Sequence, residues 1–319
     1  MQTHSKRALV LSGGGGRGAY HIGVLTYLES HGWRPDVIIG TSIGAVNGAT
    51  LGSGIPVSAL RERWLNLTTE DVQKMRADDV YIDNLVRRGD HVFDTTPLLA
   101  TLKGYSEKWL GKPWIIPEIL NSAESRYEVW ITAVEFKTRR LVYFNNREPN
   151  GITPEKVQAS CSIPLWYEPT VLDGRAYVDG GVIANTPFRK ALELGATEIV
   201  AVLMAPLPNR TGLAHQVPAP PLPGDELLAI PQRLWSTFEP TLDMLLTEIV
   251  WNDYRLFEMQ RRAGEFPELQ WFRCVAPVAP LPIGLMTTYN RTYHIRLFRQ
   301  AEEDARAVLD DLFQAEETR

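Results

Sequence analysis

Apolar residues in this chain come in short bursts closed by glycine, and between the bursts they recur at helical spacing. Ala8-Leu9-Val10-Leu11, inside the run Arg7 to Ser12, is the first burst. A run that short and that uniformly apolar predicts a strand buried on both faces. Gly13 to Gly16 end it. Ala19, Ile22, Gly23, Leu25, Thr26 and Leu28 then follow at helical spacings, which predicts a helix stopped by Gly32. Asp36-Val37-Ile38-Ile39 is a second burst, closed by Gly40, and the small residues from Ile43 to Gly52 predict a tightly packed helix. Strand, helix and strand in this order predict a parallel pair joined by a right-handed crossover.

From Pro56 to about Ser125 the pattern is mostly helical and irregular, with Trp64, Trp109 and Trp114 scattered through it. Tyr127–Phe136 and Leu141–Phe144 predict two strands, a hairpin about Lys137–Arg140. Ala176–Val178 reads as a strand end leading into Asp179-Gly180-Gly181, Pro187–Leu194 as a helix closed by Gly195, and Ile199–Met204 as a further strand. Six prolines between Pro206 and Pro223 mark residues 205–225 as a linker or loop, because proline donates no backbone hydrogen bond. Beyond it, Leu242–Arg262 and Tyr293–Phe313 predict two helices, the second amphipathic and packed on a core. The organisation is thus an alternating α/β unit over residues 6–204, the proline-rich stretch, and a mainly helical region over 226–319.

Composition narrows the function classes. The chain has 319 residues, 44% of them hydrophobic, which suits a large buried core and excludes a disordered chain. Acidic residues number 38 against 33 basic ones, a net charge of -5, so no nucleic-acid partner is expected. Cys161 and Cys274 are too few and too far apart for a disulfide framework or a zinc site. The four apolar residues after Lys6 and Arg7 are too few for a secretory signal, and no stretch nears the roughly 18 apolar residues of a spanning helix. A soluble, cytoplasmic chain is the expectation.

Three short motifs carry chemistry. Gly40-Thr41-Ser42-Ile43-Gly44 sets a serine between a strand and a helix, the pattern of a nucleophile elbow. The helix that follows directs its N-terminus at developing negative charge. Gly13-Gly14-Gly15-Gly16-Arg17-Gly18 contains a GxGxxG spacing at Gly13, Gly15 and Gly18. A dinucleotide turn needs an acidic residue at the end of the second strand. Asp36 instead stands at the start of that strand, and no Gly-Lys-Ser/Thr follows for a phosphate loop. The other use for such a bare backbone is an oxyanion hole. A serine nucleophile also needs a base. Of the six histidines, His215 and His294 follow Asp179 as a hydrolase triad would require, but neither sits in a motif. Asp179 itself, ahead of Gly180 and Gly181, is the best placed carboxylate; a turn aspartate bonded to its own backbone is the plain alternative.

Taken together, Ser12–Gly18, Gly40–Gly44 and Asp179–Gly181 resemble the patatin-like phospholipase signature, supported by Ala159-Ser160-Cys161-Ser162-Ile163-Pro164 and Asn185-Thr186-Pro187. The resemblance covers about Lys6 to Met204. It implies a three-layer α/β/α fold with a mostly parallel central sheet, here carrying a helical C-terminal extension. It further implies a Ser–Asp dyad without histidine, and hydrolysis of acyl-lipid esters with neither metal nor cofactor. Carried onto this chain, Ser42 becomes the nucleophile and Asp179 the base. The N–H groups of Gly14, Gly15, Gly16 and Arg17 become the oxyanion hole. The Arg17 side chain orients the glycine loop, meets a lipid phosphate or forms a structural salt bridge. The partner implied is an acyl lipid, a phospholipid or lysophospholipid, and transient contact with a membrane surface is compatible with it. Transfer of the acyl group to another alcohol or thiol, a dinucleotide-binding protein and an inactive lipid-binding member are the alternatives. For an apolar entrance, the tryptophans and Leu245, Leu246, Ile249, Val250 and Trp251 are candidates, as is ordinary core packing.

Overall fold

The structure is a computed structural model that describes residues 5–75, 91–207, 232–282 and 287–317. Most of the expected proline-rich stretch, and His4 and His215 with it, lies outside the described residues.

Strand β1 (Arg7–Leu11) sits in the middle of the main sheet, with β2 (Val37–Gly40) on one side and β10 (Glu198–Val202) on the other, both parallel to it. Strand β5 (Glu128–Glu135) extends the parallel run beyond β2, and β11 (Trp271–Val275) extends it beyond β10. The sheet turns antiparallel at its other end. There β6 (Arg140–Asn145) and β9 (Arg175–Asp179) both pair with β5, and β8 (Thr170–Leu172) pairs with β9. The expected hairpin is the β5–β6 pair. Short strands β3 (Lys74–Met75), β4 (His91–Asp94) and β7 (Leu165–Tyr167) form a separate small sheet.

The uniform apolar run of β1 has a direct cause. Side chains alternate across a strand, so Leu9 and Leu11 join the core on one face while Ala8 and Val10 join the core on the other. The first face is covered by α1 (Ala19–Ser30), α2 (Ile43–Gly52), α3 (Val57–Asn66) and the C-terminal helix Arg291–Glu317. The second is covered by helix Phe188–Glu193 and by Val250, Trp251 and Phe257 of the long helix Gln232–Arg262. With both faces covered, the strands have no polar side, and each fully buried leucine or valine stabilises the fold by about 1.5–3 kcal/mol. The three-layer α/β/α architecture with a mostly parallel sheet is the one expected.

Two features depart from the sequence expectation. Strands β3 and β4 interrupt the stretch expected to be mostly helical. Strand β11 comes from the region expected to be mainly helical and hydrogen-bonds along β10, which puts that region inside the main sheet.

Candidate active site

Ser42 stands at the sharp corner between β2 and α2. Its backbone lies at φ 55° and ψ -123°, a conformation that costs a non-glycine residue about 1–3 kcal/mol and persists only where the surroundings impose it. The imposition is steric. A Cβ on Gly40 would lie 2.3 Å from the Gly44 carbonyl oxygen, and one on Gly44 would lie 2.2 Å from the Leu11 oxygen. Only glycine lets the helix start this close to β1 and β2. The Ser42 amide donates to the Ser160 hydroxyl at 2.9 Å, and the Thr132 hydroxyl donates to that of Thr41 at 2.8 Å.

Asp179 reaches the same place through sheet register. Gly40 pairs with Ile131 and Asp179 pairs with Ala133, so Ser42, just past Gly40, comes level with Asp179 across β5. The Asp179 carboxylate lies near enough to the Ser42 side chain to feel its pull and accepts a hydrogen bond at 2.7 Å from the Gly181 amide. Its own amide donates to the Ser162 carbonyl at 2.9 Å. Ser42 and Asp179 are only 5% and 4% exposed. Burial disfavours the ionised carboxylate and pushes Asp179 up to about 7, against the downward pull of the Ser42 side chain and the Gly181 amide. Burial pushes the nearby Cys161 thiol well up, which keeps it protonated.

The glycine loop lies beside this pair. Gly13 packs against Ser42, and its amide donates to the Asn185 side-chain oxygen at 3.0 Å. Gly14 lies against Met204, Gly18 against Ile43, Gly180 against Thr132 and Gly181 against Asn185. Gly15–Gly18 form one helical turn in which the Arg17 amide donates to the Gly14 carbonyl at 3.2 Å. Arg17 therefore spends its amide inside the turn. The amides of Gly15 and Gly16, the first of the turn, have no carbonyl behind them to bond, and Gly15 borders the cavity at Ser42. Of the three uses considered for the Arg17 side chain, the geometry selects the salt bridge. The guanidinium is buried, pairs with Asp243 at 2.5 Å and donates to the Pro282 carbonyl at 3.3 Å.

A cavity of about 510 Å³, counting the space open to solvent, lies beside Ser42. Ile43 and Val46 of α2 form one wall, and Leu98 and Leu102 of helix Thr96–Lys103 form another. Trp114 and Tyr289 close it, and Cys161 stands at the Ser42 end. The candidates for an apolar entrance from helix Gln232–Arg262 do not line this cavity, though Leu246 and Val250 border a hollow with Gly13, Gly14 and Arg17 at the glycine loop. Val250 and Trp251 are core residues, and Leu246 packs near Phe93 and Trp166. Among the tryptophans, Trp114 is the one that lines this cavity.

Of the two histidines considered as bases, His294, the one among the described residues, is engaged elsewhere. His294 is buried, bonds the Trp64 carbonyl at 2.6 Å, and is pushed down to about 4 by burial. His21, buried against Asn47, is pushed down to about 3 for the same reason. Both are neutral core histidines. Asp36 accepts from the Arg7 amide at 2.8 Å, at the edge of the sheet opposite the glycine loop, where it can hold no ribose. Among the described residues no group of three or more His, Cys, Asp or Glu is arranged to hold a metal ion.

Some positioning residues had no role assigned from sequence. Ser160 and Asn185 lie in stretches noted there. Asp243 and Asp253 have no local signature. Asp253 accepts from the Thr186 amide at 3.3 Å and from the Asn185 amide, and burial pushes it up to about 7.

Comparisons with known proteins identify the family and the fold. The family model for patatin-like phospholipase matches residues 9–192. Lysophospholipase NTE1 of Scheffersomyces stipitis is 27% identical over 209 residues, 65% of this chain and 12% of that protein. Patatin-like phospholipase domain-containing protein 7 of Rattus norvegicus is 29% identical over 203 residues, 63% of this chain and 14% of that protein. The chain thus matches only about an eighth of the length of these relatives. VipD from Legionella pneumophila has a similar fold, with a TM-score of 0.50 and 14% identity over 97% of this chain and 67% of that one.

Proposed function

The chain belongs to the patatin-like phospholipase family, and from that premise we propose that it is a serine acyl hydrolase that cleaves ester bonds of phospholipids or lysophospholipids through Ser42 and Asp179. The observation that carries this is the convergence of two buried side chains, Ser42 and Asp179, which the sheet register sets level across β5 beside an apolar cavity that Ser42 borders.

Asp179, ionised, takes the Ser42 proton as the serine oxygen attacks the ester carbonyl. The amides of Gly15 and Gly16, with that of Gly14 beside them, stabilise the oxyanion, and the N-terminus of α2 favours the same charge. The protonated aspartate returns the proton to the departing alcohol, leaving the acyl group on Ser42. Water, deprotonated by Asp179, then attacks the acyl-enzyme and releases the fatty acid. The apolar walls below Ser42 suit the acyl chain, while the head group stays toward solvent.

Contact with a lipid surface is part of this proposal. Leu165, Ile183, Met244, Leu245 and Val278 are large exposed apolar residues. Ile183 follows the Asp179 turn and Val278 follows β11 at the Ser42 edge of the sheet. Leu165 is 59% exposed and sits at φ 70°, a costly placement for a leucine on a surface that meets only water. No helix among the described residues is long and apolar enough to cross a membrane.

The test is covalent labelling with a fluorophosphonate and mapping of the modified residue, beside ester hydrolysis by Ser42→Ala and Asp179→Asn. Modification at Ser42 and loss of turnover in both folded variants are expected. Hydrolysis retained in both would overturn the proposal.

A further inference from the structure

A second cavity opens at the opposite edge of the sheet from Ser42. Leu9 and Ile38, paired in register in β1 and β2, form its floor. Leu25 and Leu28 of α1, Leu51 of α2 and Val57 of α3 form its walls. The turn Trp33-Arg34-Pro35, which enters β2 from the end remote from Ser42, forms one lip, and Arg126-Tyr127 forms the other. The empty volume is about 420 Å³, counting the space open to solvent. Leu51 lies some nine helical residues along α2 from Ser42, about 13 Å at 1.5 Å per residue, so the two cavities are distinct.

The lip has an unusual inventory of charge. Arg34 and Arg126 are exposed and border the cavity. Neither has a carboxylate partner among the described residues, and Arg126 lies 5.5 Å over the Tyr127 ring. Glu29 is the acid that lines the same cavity, which leaves the lip with one net positive charge. Trp33, also lining it, has a buried indole N–H without a hydrogen-bond partner in the structure. The lips are held in place by hydrogen bonds of their backbone, three of them from the side chains of Arg147 and Asn146. Arg147 donates to the carbonyls of Ser122 at 2.7 Å and Ser125 at 2.5 Å, Asn146 donates to that of Tyr127 at 3.0 Å, and the Trp33 amide donates to that of Leu28 at 3.0 Å.

We infer that this cavity is a binding site for a long-chain fatty carboxylate, separate from the Ser42–Asp179 site. The acyl chain lies against Leu9, Leu25, Leu28 and Ile38, where each buried methylene contributes about 0.8 kcal/mol. The carboxylate meets the guanidinium groups of Arg34 and Arg126, whose planar N–H forks match its two oxygens. The single net charge of the lip suits a monoanion better than a phosphate dianion, whose second charge would face Glu29 unpaired.

Photolabelling of the full chain with a diazirine-bearing palmitate, followed by mapping of the cross-linked peptides, tests this. Labelling is expected within residues 25–35 and at 126–127. Palmitate should compete for it, and hexadecanol, which has the chain without the charge, should not. In the double variant Arg34→Glu/Arg126→Glu the concentration of palmitate needed to compete should rise at least tenfold. Both arginines are exposed, so the fold should hold, which circular dichroism checks. Leu28→Trp, which fills the cavity from its wall, should abolish the labelling by a second route. Labelling confined to the cavity beside Ser42, equal competition by hexadecanol, preference for hexadecyl phosphate, or undiminished labelling in both variants would overturn the inference. Ester hydrolysis and fluorophosphonate labelling report on Ser42 independently, so either site can fail without the other.

Discussion

Ser42 and Ser160, 118 positions apart in the chain, are joined by a hydrogen bond from the Ser42 amide to the Ser160 hydroxyl at 2.9 Å. An amide at a helix start has no intrahelical acceptor, so this bond satisfies a buried donor and fixes the corner that presents the nucleophile. Ser160→Ala removes the acceptor. The buried N–H left unpaired should lower stability by about 1–3 kcal/mol. Turnover of a short-chain ester should fall roughly tenfold at unchanged KM, because the corner holds the serine at its attack angle. Thermal melts and steady-state kinetics check this; an unaltered kcat would mean that the packing of Gly40 and Gly44 holds the corner unaided.

Arg17 and Asp243 lie 226 positions apart, and their ion pair joins the glycine loop to helix Gln232–Arg262. The guanidinium side is 5% exposed and the carboxylate side 18%. Removing one member of a buried pair leaves the other desolvated and unpaired, at a cost of about 3–5 kcal/mol when burial is complete. Asp243 retains some water contact, so Asp243→Ala should lose roughly 2–3 kcal/mol in urea unfolding. Loss of less than about 0.5 kcal/mol would show that solvent screens the pair.

Legibility in the sequence follows the range of the interactions. The elbow was legible because its tightest constraint is local: Gly40 meets Gly44, four residues on, within one strand–turn–helix pattern. The β1 run was legible because burial on both faces leaves no polar alternation. Asp243 and Asp253 were not legible. Each is an ordinary helix aspartate until the fold sets Arg17 or the Asn185-Thr186 amides against it. The sequence Trp271-Phe272-Arg273-Cys274-Val275 places an arginine mid-strand, which hides an edge strand. The cavity below Ser42 gathers side chains from Ile43 to Tyr289, and no local pattern records that convergence.

Asp179 sets the expected pH dependence of catalysis. The base must be ionised, and burial holds it at about 7. Activity on a short-chain ester, as kcat/KM, should therefore rise through about pH 7 and level off above about 8. Below about 6 it should fall close to tenfold per pH unit. A profile flat from pH 5 to 8 would count against Asp179 as the proton acceptor.

The same shift predicts an unusual stability profile. Asp179 rises from an ordinary 3.8 to about 7 on folding, so between those values the folded state binds the proton and the unfolded state releases it. Stability is then greatest below about pH 4 and is lost as pH rises toward 7, the reverse of a salt-bridged aspartate. Asp179→Asn keeps an oxygen for the Gly181 amide and removes the titration. Relative to the parent protein, the variant should gain stability between pH 4 and pH 8, by up to roughly 4 kcal/mol. Asp253 titrates in the same direction in both proteins, so the difference isolates Asp179. Chemical unfolding at the two pH values measures it, and an equal offset at both would contradict a raised pKa.

The walls of the cavity below Ser42 should set acyl-chain length. Val46 lies one helical turn beyond Ser42 on α2, and Leu98 faces the same space from helix Thr96–Lys103. Val46→Phe or Leu98→Phe adds volume where the structure is empty, so the usual cost of overpacking is reduced. Each methylene denied a place forfeits about 0.8 kcal/mol. Excluding three of them should lower kcat/KM by roughly fiftyfold, while a chain short enough to stop above the new ring is unaffected. With p-nitrophenyl esters of four to sixteen carbons, the butyrate should react within about twofold of the parent enzyme and the palmitate at least tenfold more slowly. A parallel fall at every length would instead mean that the substitution disturbs Ser42, and an unchanged profile would place the acyl chain outside this cavity.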